Sequence, residues 1–142
     1  MTINEIQDQI IDEFNQFDDW MDRYSVLIDE GNNLAPFPEE DRIDQNLIDG
    51  CQSKVWFTAR LVDGKIIYAG DSDAILVKGI VALLIKVLSA HTPEEVVSAD
   101  LYFIDRIGLR EHLSPTRSNG MLAMLRQMKQ YAEVLQFKAG LQ

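Results

Sequence analysis

The segment from Ala74 to Leu88 constrains this chain most. Ile75, Leu76, Val77, Ile80, Val81, Leu83, Leu84, Ile85, Val87 and Leu88 distribute around a helix with almost no polar face. A helix that is apolar nearly all round must be covered on every side, so this one predicts a buried centre around which the rest packs. It is not a membrane span: the apolar run Ala74–Ala90 is short and carries Lys78 and Lys86.

A β signal precedes it. Lys54 to Val62 is rich in β-branched and aromatic residues, Asp63-Gly64 is a two-residue hairpin signal, and Lys65 to Ala69 is the return strand. Asp71, Ser72 and Asp73 then offer oxygens to cap the central helix. Upstream, Thr2 and Glu5 predict a capping box for a first helix with the stripe Ile3, Ile6, Ile10, Phe14 and Phe17. Asp18 or Asp19 caps a second helix carrying Trp20, Tyr24, Leu27 and Ile28, with Gly31 as its stop. Asn32 to Gly50 has no sustained period and reads as an ordered connector. Downstream, Thr92-Pro93-Glu94-Glu95 opens a short helix, Ala99 to Ile104 is a candidate third strand, and Met121, Leu125, Met128, Ala132 and Leu135 mark a last helix. The expectation is an α+β fold: a small three-stranded antiparallel sheet packed with several helices, in a single domain spanning 1–142.

Apolar residues make up 46% of the chain and charged ones 25%, an ordinary soluble profile. Residues 1–50 hold 14 acidic and 2 basic side chains, net −12, and residues 51–142 hold 9 and 11, net +2. That acidic third argues against nucleic acid, whose binders need cations to displace counterions. It serves solubility, with steering towards a basic partner surface as the functional alternative. The first residues lack the basic-then-apolar pattern of a signal peptide. One cysteine excludes an internal disulfide framework, and a cytoplasmic, reducing compartment is the expectation.

That cysteine, Cys51, is the first candidate for chemistry. It lies in Gly50-Cys51-Gln52-Ser53, between a polar connector and a strand. A lone cysteine is as often a small buried hydrophobe, but the polar neighbours and a bend-permitting glycine suit a presented loop. A hydrolase nucleophile needs a histidine base, and His91 and His112 read as surface or helix-end residues. Neither spacing makes a zinc site. Asp71-Ser72-Asp73 reads as a helix start before a metal site, and Met121, Met124 and Met128 as core. Arg117 stands at the start of the last helix, where a cation gains nothing from the helix dipole. It invites either an ordinary ion pair or a role beside a sulfur anion.

Three motifs together resemble the SufE family: Asn46 to Trp56 around Cys51, Gly70-Asp71-Ser72-Asp73 through Gly79, and Leu113-Ser114-Pro115-Thr116-Arg117-Ser118-Asn119-Gly120-Met121. The resemblance implies a fold shared with iron–sulfur scaffolds of the IscU type, though this chain lacks the several cysteines that hold a cluster. It implies a sulfur acceptor and activator for a SufS-like cysteine desulfurase. Cys51 would take the persulfide sulfur and pass it to the SufB-containing Suf scaffold complex. It implies further that Gly50, Gln52, Ser53, Asp73 and Arg117 form the loop and pocket around Cys51. Pyridoxal phosphate belongs to the desulfurase, so no cofactor or metal is expected on this chain. The protein reads as a sulfur-transfer accessory with a reactive cysteine rather than a free-standing enzyme. Alternatives are a paralogous acceptor for a different desulfurase and a one-cysteine thiol redox protein. Whether the chain works as monomer or homodimer stays open. Idle Cys51 is expected to be shielded by a folded-back loop over Val55, Trp56 and Phe57.

Overall fold

A computed structural model describes residues 1–140 of the 142. Helix α1 (Ile3–Asn15) begins with the expected capping box, Thr2 and Glu5 each accepting the other's backbone N–H. Helix α2 (Trp20–Asn32) is capped by Asp19, whose carboxylate accepts from Met21 N. Strands β1 (Val55–Val62) and β2 (Lys65–Ser72) pair antiparallel from Val62↔Lys65 to Val55↔Ser72. Asp63 and Gly64, at φ 52° and 79°, both take the left-handed conformation that a tight hairpin turn demands. Then follow α3 (Ile75–Leu88), α4 (Pro93–Ser98), α5 (Phe103–Arg106), α6 (Leu109–His112) and the long α7 (Pro115–Gly140).

Helix α3 is the centre, as its composition requires. Val81 and Val87 are fully buried, and the helix packs against α2, β2, α1 and α7. Phe14, Phe57 and Phe103 bring α1, β1 and α5 to the same core. Helix α7 lies across α4 and β1 and buries Met121, Met128 and Ala132 of the expected stripe together with Met124, while Leu125 and Leu135 of that stripe are half-buried. The buried hydroxyl of Tyr68 donates to Met128 O at 2.6 Å, tying α7 to the sheet.

Three sequence expectations need correction. Gly31 does not stop α2, which runs on to Asn32. It is buried where α2 crosses α3: a Cβ on Gly31 would lie 2.9 Å from Gly79 N, and one on Gly79 would lie 2.8 Å from the Leu27 carbonyl carbon and overlap its oxygen. These two glycines let the backbones approach further than any side chain permits. Ala99 to Ile104 is not a third strand, and among the described residues the sheet has two. The side chain of Gln7, fully buried on α1, donates to Asp100 O at 3.0 Å and accepts from Phe103 N at 3.1 Å. One amide thereby serves the backbone groups that a strand neighbour would have served. Finally, no side chain of the Asp71-Ser72-Asp73 run caps α3, whose N-cap is Ala74; the Ser72 hydroxyl accepts from Ala74 N at 3.2 Å, just ahead of the helix. The two aspartates work elsewhere.

Candidate functional site

Cys51 stands at the tip of a short loop tied at both feet. On one side Ile48 N donates to Val55 O at 2.9 Å and Leu47 bridges Trp56. On the other, both backbone groups of Lys54 are held by the end of β2. Lys54 N donates to the Asp73 carboxylate at 3.0 Å, while Lys54 O accepts from the Ser72 hydroxyl at 2.8 Å and from Asp73 N at 3.2 Å. Between the feet the chain turns at Gly50, whose φ of 91° lies in the left-handed region. A Cβ there would also come within 3.3 Å of the Ala123 methyl on α7.

The loop rests on the first turns of α7. Cys51 is half-buried, and its Sγ lies 3.5 Å from Gly120 O, within reach of a weak S–H···O bond. A Cβ in place of Gly120 would sit 3.4 Å from Sγ, at ordinary contact distance, so the sulfur lies directly against this stretch of α7. Beside the sulfur is a cavity of about 80 Å³ lined by Cys51, Gln52, Ser53, Val77, Thr116, Arg117, Gly120 and Met124. The floor is therefore Val77, Gly120 and Met124, rather than Val55, Trp56 and Phe57. Burial pushes the Cys51 thiol above its ordinary range, because the thiolate loses hydration there.

The structure brings together Cys51, Gln52, Ser53 and Arg117 around this cavity, with Gly50 and Asp73 shaping and anchoring the loop. Arg117 is exposed, and among the described residues no carboxylate lies within ion-pair distance of it. That removes the ordinary ion pair as its role. Instead Asp71, almost fully buried, pairs with Arg42 and, at 3.4 Å, with Lys78. Burial by itself pushes the Asp71 carboxyl up, but the Ser72 N–H, the Arg42 guanidinium and the Lys78 ammonium together hold it below the usual carboxylate range.

Arg42 is the residue that sequence reasoning missed. Its signal was there: it is the only basic residue between Arg23 and Lys54, in the most acidic part of the chain. His91, expected at the surface, is buried, with Nδ1 2.9 Å from Ser89 O and Nε2 3.0 Å from Met1 O. Both ring nitrogens are engaged with backbone, away from the cysteine. His112 is exposed and stacks on Trp20 at 3.9 Å. Among the described residues there is no group of three or more His, Cys, Asp or Glu placed to hold a metal ion.

The sequence model of the Fe-S metabolism associated domain, SufE, matches residues 8–132. A SufE-like protein of Synechocystis sp. is 43% identical over 128 residues, covering 90% of this chain and 80% of its own. A SufE-like protein of Rhizobium meliloti is 40% identical over 131 residues, covering 89% of this chain and 94% of its own. The solution structure of a hypothetical protein from Thermus thermophilus superposes with a TM-score of 0.75 at 23% identity, over 90% of this chain and 93% of that one, and shares the fold. The half-buried loop cysteine and its cavity thus sit inside the matched region, and the chain belongs to the SufE family of Fe-S metabolism associated proteins.

Proposed function

We propose that this protein accepts sulfur on Cys51 from the persulfide of a pyridoxal-phosphate-dependent cysteine desulfurase, stimulates that enzyme, and delivers the sulfur to a SufB-containing scaffold in the cytoplasm. The observation that carries the reading is the placement of the chain's only cysteine at the tip of a doubly anchored loop, beside a small cavity lined by Arg117. The Cys51 thiolate attacks the outer sulfur of the donor's Cys–S–SH. A new S–S bond forms at Cys51, the old one breaks, and the donor cysteine leaves as thiolate, so no external oxidant or reductant is needed. A single acceptor thiol suits a carrier, since a second one nearby would release the sulfur by closing a disulfide.

Resting burial disfavours the thiolate, which protects the sulfur from oxidation while idle. Docking of the donor would lift the loop and expose the nucleophile. The cavity of about 80 Å³ offers room for the added sulfur once the loop folds back, and the first turn of α7 together with Arg117 supplies an environment favourable to an anion. The deciding experiment is incubation with a cysteine desulfurase and free cysteine, followed by intact mass. The expected product gains the mass of one sulfur, is reversed by dithiothreitol, and is absent in Cys51→Ser. A wild-type protein that gains no sulfur from a desulfurase active on another acceptor overturns the reading. Peroxide consumption dependent on Cys51 would instead point to a thiol redox protein.

A further inference from the structure

We propose that Arg42 is a positioning residue for Cys51, acting through Asp71 as a releasable latch on the amino-terminal foot of the cysteine loop.

The end of β2 holds both feet of that loop, by different means. Ser72 and Asp73 grip Lys54 directly. Asp71 reaches the other foot through Arg42, whose guanidinium lies 5.3 Å from the Trp56 ring centroid and 5.7 Å from that of Phe37. Phe37 is itself buried. Arg42 thus fastens the connector to the start of β1 and the end of β2, and the connector leads directly into Leu47 and Ile48, the residues that pair with Trp56 and Val55. If this fastening loosens, the foot at Ile48 is left with only its short pairing to Val55 and Trp56, while the foot at Lys54 keeps all its bonds.

Two features suit a latch better than a permanent strut. First, the pair is short of hydrogen bonds. Asp71 Oδ1 and Arg42 Nε are buried, and among the described residues neither has a hydrogen-bond partner. Glu39 Oε2 lies 3.0 Å from Arg42 Nε but off the axis of its N–H, so it supplies charge without a bond. A buried polar pair left incomplete holds less firmly than a fully satisfied one. Second, a reserve cation is in place. Removing one partner of a buried pair is costly because the other charge is left bare. Here Lys78 Nζ is 3.4 Å from Asp71 Oδ1, so the carboxylate stays compensated when Arg42 lets go.

The test uses Arg42→Gln, Arg42→Lys and Asp71→Asn, with Glu40→Gln, exposed and outside every ion pair among the described residues, as the surface control. The first readout is the rate at which iodoacetamide alkylates Cys51 in the free protein, with thermal melting measured alongside. It does not depend on any sulfur donor. Arg42→Gln and Asp71→Asn should alkylate on the order of tenfold faster while still melting cooperatively. Arg42→Lys should fall between, keeping the charge but losing the planar fork over the two rings, and Glu40→Gln should match wild type. The second readout rests on the sulfur-acceptor reading: the KM for the desulfurase should change with kcat largely retained, as befits a residue that positions the nucleophile without touching it. Wild-type alkylation rates in both Arg42→Gln and Asp71→Asn overturn the latch. So does acceleration no greater than their loss of global stability explains, or failure of both variants to fold. Faster alkylation in a protein whose wild type accepts no sulfur supports the latch and refutes the proposed function instead.

Discussion

Gly120→Ala separates the stability of the cysteine loop from the use of its cavity. Gly120 lies inside α7, where exchanging glycine for alanine is worth about 0.5–1 kcal/mol through backbone entropy alone. The added methyl would meet Cys51 Sγ at 3.4 Å, its Cα at 3.8 Å and its Cβ at 3.9 Å, which is contact without overlap. The folded state should therefore gain the full propensity term, and a chain of this size should melt about 1–4 °C higher. The same methyl grows from the wall of the 80 Å³ cavity beside the sulfur. A persulfide needs space beyond Sγ, so sulfur loading by a desulfurase should slow on the order of tenfold, about 1.4 kcal/mol of lost accommodation. Differential scanning calorimetry reads the first effect, and time-resolved intact mass after mixing with desulfurase and cysteine reads the second. The two should move in opposite directions. A fall in melting temperature would refute the claim that the loop rests on α7 at contact distance. Unchanged loading in a stabilised protein would refute the claim that the outer sulfur uses this cavity.

Four other outcomes follow from the same geometry. Gly79→Ala drives a methyl into the Leu27 carbonyl, so it should cost about 2–3 kcal/mol by urea unfolding despite the better helix propensity, as α2 and α3 are forced apart. The alkylation of Cys51 should reach half its maximal rate at a higher pH than a free thiol at about 8.5; because the folded state holds this proton more tightly, the associated stability is complete below about pH 8.5 and is lost as pH rises through the folded value, a slope that Cys51→Ser should flatten in urea titrations. Asp71 has the opposite sign: its folded carboxyl is lowered, so its contribution is present above about pH 3.9 and lost as pH falls through the folded value, and Asp71→Asn should flatten the acid limb of a stability profile. Arg117 has no ion pair among the described residues, so Arg117→Ala and Arg117→Lys should both leave the melting temperature within about 1 °C, while in sulfur-transfer kinetics the alanine slows loading severalfold and the lysine retains most of it.

Much of this was legible in the sequence, because the strongest signals are local. The apolar circumference of α3, the Asp63-Gly64 turn, the Thr2 and Asp19 caps and the methionine stripe of α7 each need only their neighbours to be read. What failed was long-range. The run from Ala99 to Ile104 has strand-like residues, but a glutamine on α1, more than ninety positions away, satisfies its backbone. Gly31 resembles a helix stop because its partner, Gly79, is not visible along the chain. At the site, Cys51 and Arg117 stand out as a lone thiol and a misplaced cation, and both line the same cavity. Arg42 escapes notice because an arginine among acids reads as surface; only the fold reveals that the acid it serves is the buried Asp71.

Under the proposed function, the two-footed loop also bounds how far a sulfur on Cys51 would travel. Cys51 is three residues from Ile48 and three from Lys54, the positions where the chain is bonded to its sheet. Three fully extended residues reach about 11 Å at most, so even a completely straightened loop lifts the Cys51 Cα no further than that above its base. Such a tether is a short plunger, unlike the long flexible arms that swing a cargo between distant active centres. Its stroke suffices to enter a shallow recess on one neighbour but not to bridge two at once. Under that function, cargo held this way would move between donor and recipient only when the whole molecule leaves one and finds the other, so encounter and release would set the rate of delivery.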